Sequence, residues 1–167
     1  MHRVLTLAAI AATLIVAGCG GSNSNGGETP ASAAMSDTVG VKQIDGIGKV
    51  LVDTSGMALY TPDQEAKGMI QCTGSCTAIW QPVAPAGKPT AAAGAGTVGV
   101  VKRPGGSRQV TLDGMPLYSF VQDSPSQITG DGFKDRFDGK SFTWHVVLAG
   151  GAKGTGTASK TSSQYGY

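Results

Sequence analysis

The hydrophobic pattern divides the chain into one long apolar run and a series of short, strand-length pieces. Val4 to Ala17 is an apolar run rich in Leu, Ile, Val and Ala. It is shorter than the about 20 residues a mature membrane helix needs, and it has the length of a signal-peptide core. Gly48 to Asp53 is β-rich, Thr54-Ser55-Gly56 is a turn signal, and Met57 to Tyr60 continues as a second strand, which predicts a hairpin with a three-residue loop. Pro62 stops that strand or confines it to a sheet edge. Asp63 to Ile70 reads as polar loop, and the piece from Cys72 to Trp80 as one or two helical turns ended by Pro82. Thr97 to Lys102, Gln109 to Leu112 and Met115 to Val121 predict a three-strand meander, with Asp113-Gly114 as a type I′ turn. Gln122 to Lys140 is a long polar loop. Phe142 to Leu148 then alternates, with Phe142, Trp144, Val146 and Leu148 on one face and Thr143, His145 and Val147 on the other, as a final core strand does.

One phrase occurs twice. Gly56-Met57-Ala58-Leu59-Tyr60-Thr61 returns as Gly114-Met115-Pro116-Leu117-Tyr118-Ser119, at a constant offset of 58 residues. An acid follows each Tyr by five positions, Glu65 and Asp123, and each copy carries one of the chain's two tryptophans, Trp80 and Trp144. Such a period marks two copies of one supersecondary unit. The expected fold is mainly β: two related hairpin or meander repeats, about 46–85 and about 97–149, sharing one small core that holds Trp80 and Trp144, with at most one or two short helical turns. The domain spans 41–149, and the low-complexity stretch from Ala86 to Gly96 bridges the copies. Gly-, Ser- and Thr-rich stretches at 19–40 and 150–167 read as a flexible tether and a disordered tail.

The apolar run ends in Val16-Ala17-Gly18-Cys19, which resembles a bacterial lipobox. The resemblance implies a signal peptide of 1–18, cleavage before Cys19, and acyl chains such as palmitate on Cys19. More than one chain gives stable anchoring. The expected partner is therefore the membrane, reached through the lipid at Cys19 on the non-cytoplasmic side of the cell envelope. Gly20, where an Asp would resemble an inner-membrane retention signal, favours the outer membrane in a host with two membranes, and otherwise the outer face of the cell membrane. Loss of the signal removes Arg3 from a chain of net charge +2, which leaves no footprint for nucleic acid.

A Tyr after Leu in a hairpin packs half-buried while its hydroxyl finds a partner. The functional alternative makes Tyr60, Glu65, Tyr118, Phe120 and Asp123 a binding surface for an unknown envelope protein or small ligand. Tyr118-Ser119-Phe120-Val121-Gln122-Asp123 resembles the Tyr-x-aromatic-x-x-Asp motif of a family of bacterial lipoproteins that carry a secreted repeat of unknown function. In the first copy Pro62 replaces the aromatic and Glu65 the Asp. Cys72-x3-Cys76-x3-Trp80-Gln81-Pro82 is similar to the family's Cys-x3-Cys-x3-Trp-Pro-Pro, and Trp144-His145-Val146-Val147 to its closing Trp-His-Val-Val. The resemblance implies location and repeat architecture, and no activity.

Little in the chain points to catalysis or to a cofactor. It has no nucleophile elbow, phosphate loop or zinc signature, and His145 is the only histidine besides His2. Asp131, Asp135 and Asp138 depart from the spacing of a calcium loop. The reading is a non-enzymatic binding or display module without cofactor. Its alternative is a copper-binding or redox-active envelope protein using Cys72, Cys76 and His145, because thiolates favour Cu(I). With Cys19 lipidated, Cys72 and Cys76 remain, and outside the cytoplasm a disulfide between them is expected.

Overall fold

The computed structural model describes residues 38–66, 68–125 and 127–156. The expected signal peptide, Cys19, the tether as far as residue 37 and the tail from residue 157 lie outside the described residues. The first repeat runs β1 (Gly40–Ile44), β2 (Gly48–Val52), β3 (Tyr60–Pro62), a 3-10 turn at Asp63–Glu65, α1 (Cys76–Ile79) and β4 (Trp80–Pro82). The second runs β5 (Val98–Lys102), β6 (Arg108–Leu112), β7 (Met115–Pro116), β8 (Tyr118–Phe120), β9 (Lys134–Phe137) and β10 (Lys140–Val146). The fold is mainly β, as its sequence predicts. Asp113 and Gly114 both take positive φ, 48° and 83°, as a type I′ turn requires.

Each repeat gives its last strand to the other. The central sheet has the order β4-β8-β3-β10-β9. In it β4 of the first repeat pairs with β8 of the second, through Trp80↔Phe120, Gln81↔Ser119 and Pro82↔Tyr118. Reciprocally, β10 pairs with β3 through Trp144↔Pro62, His145↔Thr61 and Val146↔Tyr60. These are the same register at equivalent positions, and the two halves meet at Tyr60↔Tyr118. The exchange continues one step further along the chain. Leu59 N bonds to Leu51 O, Leu51 N to Val147 O and Val147 N to Leu59 O, while Leu117 N bonds to Val110 O, Val110 N to Val83 O and Val83 N to Leu117 O. Two matching triangles of backbone bonds thus tie Val147 into the first repeat and Val83 into the second.

Both repeats contribute to each part of the interior. One cluster is largely aromatic and includes Tyr60, Trp80, Tyr118, Phe120, Phe142 and Trp144. The other is aliphatic, built from Val39, Leu51, Leu59, Ala95, Val110, Leu112, Leu117 and Val147. Successive residues of a strand point to opposite faces, so Val146 enters the first cluster and Val147 the second.

Several expectations need correction. The first copy has three strands in its meander, because Gly40–Ile44 pairs with β2. Pro62 lies in a central strand. Trp144, opposite it, turns its own N–H to Phe133 O and its carbonyl to Gly132 N, so the Pro62–Trp144 pair exchanges no bonds and the missing donor costs the ladder nothing there. The polar loop of 122–140 contains β9, hairpin-paired to β10. Val39, inside the expected tether, is buried and bridged to Ala91 of the inter-repeat stretch.

The tail is also built in as far as residue 156. Val147 bridges Lys153, Gly154 N bonds to Val146 O, and Gly156 N bonds to Asp131 Oδ2 at 2.8 Å. Lys153 Nζ lies 2.7 Å from Asp63 Oδ1, and the His145 ring spans Asp63 Oδ2 at 3.1 Å and Gly154 O at 3.2 Å. A Cβ on Gly154 would stand 2.6 Å from both Asp131 Oδ1 and Val146 Cγ1. Gly154→Ala is therefore expected to lift this strap, read as faster amide exchange at 154 and 156 with the central sheet still protected. The Lys153 bond, then His145, hold the Asp63 carboxyl below its ordinary range. That contribution is present above the ordinary carboxylate range and lost as pH falls, so strap protection should drop on acidification. Unchanged exchange in both experiments would show that the strap is held by other contacts.

Candidate functional site

The repeated Tyr and acid residues form two crossed locks. Tyr60 Oη of the first repeat donates to Asp123 Oδ2 of the second, and Tyr118 Oη donates to Glu65 Oε2 of the first at 2.6 Å. Asp123 Oδ1 also accepts Thr129 N at 2.8 Å and Thr129 Oγ1 at 2.6 Å. Glu65 Oε1 accepts the backbone N–H of Gln71 and, at 2.6 Å, of Cys72. Arg103, directly after β5, is buried. Its guanidinium bonds to Gln109 Oε1 and Cys72 O, and at 3.3 Å to Tyr118 Oη. Burial, then the facing carboxylate, pushes each phenol far above its ordinary value, so both stay protonated donors. Burial likewise raises the Asp123 carboxyl, against the pull of its Thr129 and Tyr60 bonds.

This arrangement replaces the exposed surface that the sequence allowed. Tyr60, Glu65 and Tyr118 have no accessible area, Phe120 has 1% and Asp123 9%. An acid five residues beyond an inward-facing Tyr ends the next turn facing the neighbouring repeat, where the other Tyr arrives.

Behind the locks the two tryptophans stack face to face, their rings 3.9 Å apart and 8° from parallel. Tyr60 meets Trp80 edge-on at 5.4 Å and Tyr118 meets Trp144 edge-on at 5.1 Å, again in equivalent roles. Both indole N–H groups converge on one carboxylate: Trp80 Nε1 donates to Asp135 Oδ2 at 2.7 Å and Trp144 Nε1 to Oδ1 at 3.1 Å. Asp135 is half-buried, and burial holds its carboxyl above the ordinary value despite these two bonds. A cleft of about 210 Å³ opens here, walled by Ile79, Phe120, Phe133 and Phe137, with Asp135 beside them. Arg136 and Gln122 stand on its rim. Trp80 backs it, stacked on Phe120 at 4.2 Å and edge-on to Phe133 at 6.1 Å. Gly130 lets the chain pack directly on these rings: a Cβ there would lie 2.8 Å from the Trp80 ring and 3.0 Å from Tyr60.

Of the five residues considered for a surface, Phe120 alone lines this cleft. From the sequence Asp135 reads only as a misspaced calcium residue. The usable signal was the alternation Phe133, Asp135, Phe137 ahead of Asp138-Gly139, which is a strand and a hairpin turn.

Cys72 and Cys76 are joined in a disulfide, and both are buried. His145 is engaged with Asp63 and Gly154. Among the described residues no three His, Cys, Asp or Glu side chains gather as metal ligands, so the structure does not bring Cys72, Cys76 and His145 together. Asp131 serves the strap, Asp135 the indoles, and Asp138 a turn at φ 50°.

No curated protein and no solved structure matches the chain. A family described as a secreted repeat of unknown function matches residues 41–84 and 99–147, one match in each of the two exchanged units. The crossed strands, the crossed Tyr–acid locks and the paired tryptophans are how this sequence builds two such units into one body, and the chain belongs to that family of lipoprotein secreted repeats.

Proposed function

We propose that this protein is a non-enzymatic ligand-binding module of the cell envelope, anchored by lipid at Cys19 and holding a small ligand in the cleft over the tryptophan pair. The observation that carries the reading is the cleft itself. It is the place where the aromatic interior reaches the surface beside a polar group, the usual make-up of a ligand site. The repeated motif supports it from behind, since the crossed locks fix Tyr60 and Tyr118 against the two indoles, which in turn hold Asp135 and, through Trp80, Phe120 of the cleft. Secreted-repeat membership fits an envelope location. The copper or redox alternative has less support, because both cysteines are oxidised and buried.

The test uses the two indole N–H resonances, one per tryptophan. A fragment set of mixed charge is expected to contain compounds that shift both resonances saturably. Phe133→Ala should weaken them at least about tenfold, a loss of about 1.4 kcal/mol. A set that leaves both resonances unmoved would remove the ligand reading. Cys19→Ala, followed by fractionation, tests the anchor separately: the variant should leave the membrane fraction or keep its signal.

A further inference from the structure

Asp135 has an unusual set of partners for a half-buried carboxylate. It accepts two neutral indole N–H groups, and no Lys, Arg or His among the described residues makes an ion pair with it. The other three interior acids accept from hydroxyl and backbone donors: Glu65 from Tyr118, Gln71 and Cys72, Asp123 from Tyr60 and Thr129, and Asp131 from Val146 and Gly156, with the His145 ring 3.9 Å from Asp131. None of these three lines the cleft, whereas Asp135 does. The same cleft is lined by Phe120, Phe133 and Phe137, and the faces of phenyl rings carry negative quadrupole charge.

A carboxylate with no ion-pair partner, in a cleft lined by phenyl side chains, is complementary to an organic cation whose charge is spread over alkyl groups. A hydrated metal ion would gain little from such walls, and an anion would meet the carboxylate. The size agrees: about 210 Å³ falls below the roughly 300–1,000 Å³ of drug-sized sites, so the cleft takes a head group and not a larger molecule. Resting on the ligand-module reading, we infer that the cleft binds a small alkylammonium group, with Asp135 as counter-ion and Phe120, Phe133 and Phe137 as the cage. Such a group occurs on lipid head groups, on free quaternary amines and on amine side chains.

Arg136 supplies a second, opposite signature. It stands on the rim of the same cleft and is solvent-exposed, so its charge repels an arriving cation. Its removal should tighten an ammonium ligand, where removal of an ordinary contact residue would weaken it.

The experiment titrates the full chain with choline and with its uncharged isostere 3,3-dimethylbutan-1-ol, following the two indole N–H resonances that sit on Asp135. Choline is expected to shift both saturably, with the isostere at least about tenfold weaker. Asp135→Asn should weaken choline at least about tenfold, and Arg136→Gln should tighten it a few-fold in low salt, an effect that added salt screens. Glycerophosphocholine and n-butylammonium separate the sources: the tighter of these and choline indicates a head group, a primary amine or a free quaternary amine. Equal binding of choline and the isostere, or weaker choline binding by Arg136→Gln, would overturn the inference. If neutral or anionic fragments move the indoles while no ammonium probe does, this inference fails and the ligand-module reading stands. If no probe of any charge moves them, both fail.

Discussion

Cut apart within 86–96, the two repeats are each expected to be unfolded as monomers, and to regain the native fold when mixed. The expectation follows from where the last strands go. Alone, the first repeat would keep β3 without β10 and β4 without β8, and it would expose Leu51 and Leu59 where Val147 belongs. The second repeat alone would lose β3 from between β8 and β10, leaving β10 only its hairpin partner β9, and it would lose the bonds that Val83 makes with Val110 and Leu117. Each half would also carry a buried Tyr and a buried acid with neither one's partner. A body of this size has only about 5–15 kcal/mol of net stability, and separation removes half of each hydrophobic cluster along with the central pairing. The measurement is the amide spectrum of each half, then of the mixture, with gel filtration. A chain nicked in the bridge should run as one body, because the exchange holds the halves without a covalent link. A half that pairs with a second copy of itself fits the same exchange, since the strands are equivalent. A folded monomeric half with protected amides would contradict it.

The repeat was legible because its phrase is local and sits in adjacent positions. The exchange was not, because a strand's sequence states which face is apolar and does not name the strand beside it. Trp80 and Trp144 could be read as interior residues, yet their stacking on one another depends on β4 and β10 crossing into opposite repeats. Tyr60 and Glu65 looked like one unit five residues long, while each bonds into the other repeat. The cleft was hidden for a different reason. Lys134-Asp135-Arg136 reads as a solvated loop until Asp135 is seen to point inward between Phe133 and Phe137, paid for by two indole donors that lie 55 and 9 residues away. The strap escaped notice because Gly and Lys carry no apolar pattern. It is held by backbone bonds, by the side chains of Asp63, Asp131 and His145, and by a close approach at Gly154 that only a glycine allows.

The crossed locks lead to a prediction in which two similar changes differ in size and in pH dependence. Tyr118→Phe and Tyr60→Phe keep every ring contact and remove one hydroxyl each. A hydrogen bond to a charged group is worth about 1.5–3 kcal/mol when its partner is left behind. Tyr118→Phe should lie at the upper end, because Glu65 has no accessible area and its Oε2 takes its hydrogen bond from Tyr118. Tyr60→Phe should lie at the lower end, because Asp123 is 9% accessible and keeps two bonds from Thr129. The pH dependence belongs to Asp123. Burial raises its carboxyl above the ordinary value, and the Tyr60 bond opposes that rise. A carboxyl raised in the folded state contributes stability that is complete below its unfolded range and lost as pH rises through the folded value. Removing the Tyr60 hydroxyl raises it further, so the penalty should be largest at neutral pH and shrink towards about pH 4, where ordinary carboxylates titrate. Urea midpoints for both variants and the parent chain, taken at neutral pH and near that lower value, read the effect directly. A Tyr60→Phe penalty that is constant with pH, or that grows on acidification, would show that Asp123 is not the ionised partner of Tyr60. A smaller cost for Tyr118→Phe than for Tyr60→Phe would show that burial of the acid does not set the strength of the lock.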